Sequence, residues 1–136
     1  MFVLDTNVIS ELRRPAKANA KILAWAAATP VNQTFLSAIT ILEIELGALL
    51  MERKNKVHAK ILREWIDGQI LPRFDGRILA VDTAVAQCCA RLHVAATRAG
   101  RDALIAATAV VHAMTVVTRN AADFDMSGVK VLNPWA

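Results

Sequence analysis

Four carboxylates stand where an acid is hard to read as surface decoration. Asp5 ends the apolar run Met-Phe-Val-Leu and is followed by Thr6 and Asn7. Glu43 lies inside Ile-Thr-Ile-Leu-Glu-Ile-Glu-Leu-Gly, Asp102 precedes Ala-Leu-Ile-Ala-Ala, and Asp123 follows Met-Thr-Val-Val-Thr-Arg-Asn-Ala-Ala. Each has a bland reading. Asp5 is as good a helix cap as it is a ligand, Asp102 suits the N-cap of an Ala-rich helix, and Asp123 and Asp125 fit loop chemistry. Glu43 and Glu45 are separated by roughly 200° around a helix, so only one can face a sheet. Ile39, Leu42, Leu46 and Leu50 lie on or beside the face of Glu43, which makes it the candidate and leaves Glu45 for solvent. A salt-bridged or snorkelling Glu43 is the competing reading.

Taken together, the four acids suggest more than each does singly. Carboxylates converging on one place repel one another and raise each other's pKa unless cations neutralise them. Hard divalent ions with oxygen ligands are the natural counter-charge, and Mg²⁺ favours one or two carboxylates plus water and substrate phosphate. With three histidines and an adjacent Cys88-Cys89 pair, zinc-type ligation is disfavoured. A Mg²⁺ or Mn²⁺ site on a basic chain points to phosphodiester chemistry.

The elements that must position these acids alternate between strand and helix. Strands are predicted over 2–4, 33–36, 78–81, 115–117 and 129–132. Helices are predicted over 7–13, 19–28, from the cap Ser37 onward with Ile41, Ile44, Leu46, Ala48 and Leu49 apolar, 56–69, 83–97 behind Asp82, and 103–112. That alternation implies a parallel sheet covered on both faces, with function gathered beyond the carboxyl ends of its strands. The chain of 136 residues, 55% of them hydrophobic, suits one domain over 1–136.

Net charge is +4, with basic clusters at Arg13, Arg14, Lys17 and Lys21 and at Arg53, Lys54, Lys56, Lys60 and Arg63. These fit a polyanionic partner, and equally a solvated helix face. Neither uncharged run, 22–42 or 103–118, makes a convincing membrane span, and no signal-peptide pattern opens the chain. The two cysteines read as small helix residues in a reducing cytoplasm.

Leu-Asp-Thr-Asn-Val-Ile-Ser-Glu-Leu, Ser-Ala-Ile-Thr-Ile-Leu-Glu-Ile-Glu-Leu-Gly, Arg-Asp-Ala-Leu-Ile-Ala-Ala-Thr-Ala, Thr-Arg-Asn-Ala-Ala-Asp-Phe and the closing Val-Lys-Val-Leu-Asn-Pro-Trp, in this order, resemble PIN-domain ribonucleases. The likeness is greatest to VapC/FitB-type toxins of toxin–antitoxin modules. It implies a three-layer α/β/α domain with a mainly parallel sheet and a Mg²⁺- or Mn²⁺-dependent endoribonuclease site. By motif, Asp5, Glu43, Asp102 and Asp123 fill an acidic quartet that binds metal. Asp5 and Asp102 hold the metal most directly, Glu43 acts through water, and Asp123 completes a second position. Thr6 and Thr118 fill supporting hydroxyl positions, Asn120 the polar loop position, and Arg119 is a candidate for RNA phosphate or for a surface salt bridge. The implied partners are RNA, a cognate inhibitory antitoxin and a second copy of the chain in a homodimer, with DNA reached only through the antitoxin. The segment before Asp102 is shorter and less polar than is usual in that family. A receiver-like regulatory module with an acidic Mg²⁺ pocket, or a PIN-fold protein that only binds, are the alternatives. The first is disfavoured because the late strand runs into Asn133-Pro134-Trp135 where a lysine is expected.

Overall fold

The computed structural model describes residues 1–95, 99–126 and 128–136. Five parallel strands form one sheet in the order β3-β2-β1-β4-β5, with β1 (Phe2–Leu4) at its centre, β2 (Thr34–Ser37) and β3 (Ile78–Leu79) on one side and β4 (Thr115–Val117) and β5 (Val131–Leu132) on the other. The register pairs Phe2 with Thr34 and with Thr115, and Leu4 with Val117. Because the chain builds outward from β1 first to one side and then to the other, the order reverses between β1 and β4. That switch point is where open parallel sheets hold ligands.

Strand alternation separates two cores. Val3 and Val116 pack on one face with Val85, Cys88, Leu92, Ile105 and Phe124, whereas Leu4, Leu36 and Val117 pack on the other with Val8, Ile9, Ile22, Ile44, Trp65 and Ile66. Neighbouring residues of a strand serve opposite faces, so short strands suffice to seat two helical layers. The first layer holds α6 (Thr83–Ala95) and α7 (Gly100–Val111), and the second α1 (Thr6–Leu12), α2 (Ala20–Ala28) and α4 (Lys56–Trp65); α3 (Ala38–Glu52) contributes Ile39 to the first core and Ile44 and Ala48 to the second. The three-layer α/β/α expectation is met. Among the described residues no helix is long and apolar enough to cross a membrane.

Local chemistry explains most boundaries. Asn19 caps α2 through Lys21 N–H, Ser37 caps α3 through Ile39 N–H, Asn55 caps α4 through His58 N–H, and Asp82 accepts from Val85 N–H at the start of α6. Several expectations need correction. The helix predicted over 56–69 stops as an α-helix at Trp65, continues as a π-turn (Ile66–Ile70) and ends in a short α5 (Leu71–Arg73) containing Pro72. Positions 96 and 97 of the predicted 83–97 helix lie outside the described residues. Strands β3 and β5 are each shorter than predicted, because only two residues of each find a ladder partner.

Helix α3 departs most from its pattern. Its core face is Ile39, Thr40, Ile44 and Ala48, while Leu42, Leu46, Leu49 and Leu50 are all exposed. Leu46 and Leu49, read from the sequence among the helix's apolar residues, lie on an open stripe and not in the core. Glu45 reaches solvent with about one-third of its side chain exposed, and it is held there by Arg63 at 2.6 Å, which also meets Asp67 at 3.3 Å. The two cysteines sit buried and unpaired on α6, as expected.

Candidate active site

Strand β1 delivers Asp5 to the carboxyl edge of the sheet, where its backbone N–H continues the ladder to Val117 O at 2.9 Å. The residue is 6% exposed. Both of its oxygens are occupied: Oδ1 accepts from Thr6 N–H at 2.8 Å, and Oδ2 accepts from Thr118 Oγ1 at 2.8 Å and from Asn7 Nδ2 at 3.1 Å. The two readings of Asp5 are therefore compatible, since it caps α1 and still presents a buried carboxylate. Burial pushes its pKa up, and the charge of Glu43 adds to the rise, while the bonds from Thr118, Thr6 and Asn7 pull the other way.

Thr118 follows β4 as directly as Asp5 follows β1. It is fully buried, and besides donating to Asp5 it accepts from Asn7 Nδ2 at 3.3 Å and from Asn120 N–H at 3.0 Å. Asn7 Oδ1 accepts from Arg119 N–H at 3.2 Å, so one asparagine ties the two strand ends together. Asn120 thus enters through its backbone, with its own side chain exposed.

Glu43 reaches this edge from the second turn of α3. Its Oε1 accepts from Thr6 Oγ1 at 2.7 Å, and its Oε2 lies 3.8 Å from Arg101 Nε. It is thus neither packed into the core nor turned out to solvent, but directed by its polar neighbours at the lip of the sheet. The leucines that flank it, Leu42, Leu46 and Leu50, are exposed, so the apolar residues around Glu43 are not a buried face.

Asp102 is not a cap. Helix α7 begins at Gly100, its N-cap is Ala99 with no side-chain bond, and Asp102 sits in the first turn. Freed of that role, the half-buried carboxylate has a pKa raised by burial and then by the charges of Asp5, Asp123 and Glu43, against the pull of Arg101. Asp102 thus senses all three other acids of the quartet. Asp123 itself is exposed on the 3₁₀ turn Ala121–Phe124, held by its N–H to Asn120 O at 3.0 Å.

Arg119 does not enter this charge cluster. Its guanidinium lies over the ring of Trp135 at 6.0 Å, leaving it exposed beside the site. Arg101 was not singled out from sequence, although its place next to Asp102 was the available signal. Thr40, one turn before Glu43 on the same helix face, was read as part of an apolar helix.

The donor set is all oxygen and strongly anionic, which suits Mg²⁺ or Mn²⁺ and not a soft ion. Among the described residues no three His, Cys, Asp or Glu side chains are drawn together as a ready ligand shell. The carboxylates share a field without sharing one coordination sphere, which fits a cation that takes one or two of them directly and fills its other positions with water and phosphate.

Comparison with known proteins gives this arrangement a family. The PIN-domain family model matches residues 2–126. The chain is 43% identical to Toxin FitB of Neisseria gonorrhoeae, covering 99% of each, and 37% identical to VapC ribonuclease Y4jK of Sinorhizobium fredii, covering 99% of this chain and 98% of that one. The solved structure of FitAB bound to an IR36 DNA fragment superposes with a TM-score of 0.89 at 41% identity, covering all of this chain and 96% of that one.

Proposed function

The chain belongs to the PIN-domain family, in the branch of the VapC and FitB toxins, and from that premise we propose that it is a Mg²⁺- or Mn²⁺-dependent endoribonuclease, the toxin of a toxin–antitoxin module. The observation that carries this reading is the placement of the acids at one edge of the sheet: Asp5 buried at the end of β1, Glu43 held there by Thr6, and Asp102 in the first turn of α7, where the charges of the other three raise its pKa. A protein gains nothing in the folded state by gathering like charges at a sheet edge, so the arrangement is retained for a counter-ion.

Asp5 and Asp102 are the carboxylates that would hold the ion, with Asp123 at the outer side. When bound, the ion supplies a water of lowered pKa and neutralises charge developing on the phosphate. Glu43, fixed by Thr6, orients a water and accepts its proton, while Thr118 and Asn7 keep Asp5 in place. Thr6 and Asn120 complete the frame. Arg119, exposed next to this edge, contacts an RNA phosphate. The chain works as a single domain over 1–136.

The exposed leucines of α3 are a surface that a soluble protein covers, which supports a second copy or a cognate antitoxin as partner. The FitAB structure, solved on DNA, supports an assembly in which a DNA-binding antitoxin carries the toxin and restrains it. Mapping of cut sites on total RNA tests the activity. Discrete cuts are expected with Mg²⁺ and are lost in EDTA. RNA left intact with Mg²⁺ or Mn²⁺ present, while the ion still binds, would favour a PIN-fold protein that only binds.

A further inference from the structure

We propose that Thr40 is a positioning residue for the acid cluster, acting through Thr6 on Glu43; the inference rests on reading this cluster as the nuclease site. Thr40 is fully buried on α3, and its Oγ1 lies 3.3 Å from Thr6 Oγ1, which in turn lies 2.7 Å from Glu43 Oε1. Thr6 has one hydroxyl proton and two partners. An ionised carboxylate can only accept, so that proton goes to Glu43, and Thr40 donates to Thr6. The result is a directed chain, Thr40 to Thr6 to Glu43, whose middle member also gives its backbone N–H to Asp5.

The direction of the Thr40 hydroxyl is itself informative. A buried helical threonine commonly turns back to the carbonyl one turn earlier, and Thr108 does so here, donating to Leu104 O at 2.8 Å. Thr40 has no such bond among the described residues; its hydroxyl is directed across to α1. Thr40 and Glu43 are three positions apart and share a helix face, so Thr6 is gripped from α3 at two levels. That second grip limits the rotation of Thr6 about χ1 and keeps Glu43 directed at the site.

Thr40→Val keeps the shape and removes the hydroxyl, and Thr40→Ser keeps the hydroxyl. Single-stranded RNA cleavage and calorimetric Mn²⁺ binding are measured for both, with Thr40→Ala as a second hydroxyl-free variant if Val folds poorly. For the hydroxyl-free protein, kcat is expected to fall about five- to tenfold with KM within about twofold of wild type, and Mn²⁺ affinity to weaken. Thr40→Ser is expected to restore both. Unchanged kcat and Mn²⁺ affinity in the hydroxyl-free protein, or a serine variant as impaired as the valine one, overturns the proposal, because Thr40 is then filling space. A wild-type protein that cuts no RNA overturns the nuclease reading instead, and the Mn²⁺ affinities still decide the role of Thr40.

Discussion

Replacing Asp5 with asparagine is expected to lower RNA cleavage by roughly a thousandfold while leaving a folded protein, because a cation's charge stabilisation is worth several kcal/mol and each 1.4 kcal/mol is tenfold. The fold survives because the substitution is isosteric and its bonds can be remade. The asparagine carbonyl still accepts from Thr6 N–H, and its NH₂ can donate to Thr118 Oγ1, an acceptor as well as a donor. Only the bond from Asn7 Nδ2 becomes donor against donor; a flip of the Asn7 amide would move that conflict to the exposed Arg119 N–H, so the substitution loses one hydrogen bond, about 1 kcal/mol. Burial had already made the Asp5 charge costly, so the neutral side chain offsets part of that loss. Circular dichroism and a thermal melt should therefore resemble wild type, with multiple-turnover cleavage near background. A variant that cuts RNA at more than about a tenth of the wild-type rate would remove Asp5 from the reaction.

Asp102→Asn should separate activity from stability in the opposite sense. Cleavage is expected to fall at least a hundredfold, on the order of one lost carboxylate–metal contact, yet the metal-free protein should melt about 3 °C higher at neutral pH. Asp102 is opposed by Asp5, Asp123 and Glu43, against the favourable pull of Arg101. An acid whose pKa is raised on folding binds its proton more tightly in the folded chain. Its favourable contribution is present below the ordinary value of 3.8 and is lost as pH rises through the higher folded value. In EDTA, the melting temperature of wild type should therefore decline across that window relative to Asp102→Asn, and the two curves should meet at low pH. Added Mn²⁺ should raise the wild-type melt and leave the variant almost unmoved. A variant less stable than wild type at neutral pH without metal would mean that the carboxylate is structural.

Much of this arrangement is legible in the sequence because strand–helix alternation is strong and each acid follows a strand or starts near a helix. Val3-Leu4 and Val116-Val117 read as buried strand residues, and the parallel sheet follows from the helices between them. What could not be read is which apolar stripe of α3 is left open, since Leu46 and Ile44 look alike in a pattern of hydrophobic residues. The start of α7 was misplaced because Asp102 is an excellent cap type, and the chain instead begins the helix at a glycine with no side-chain cap. Arg119 was assigned by its charge, and its stacking depends on Trp135, sixteen residues further along the chain. Thr40 was invisible for a related reason: a hydroxyl's direction is decided by a neighbour from another element, here Thr6 on α1.

A crystal of the protein soaked in Mn²⁺ and measured for anomalous scattering tests the central claim most directly. The account predicts a manganese peak at the carboxyl edge between β1 and α7, with carboxylate oxygens of both Asp5 and Asp102 about 2.1 Å from it. An occupied manganese site elsewhere, or an empty map between Asp5 and Asp102 at saturating Mn²⁺, would contradict it.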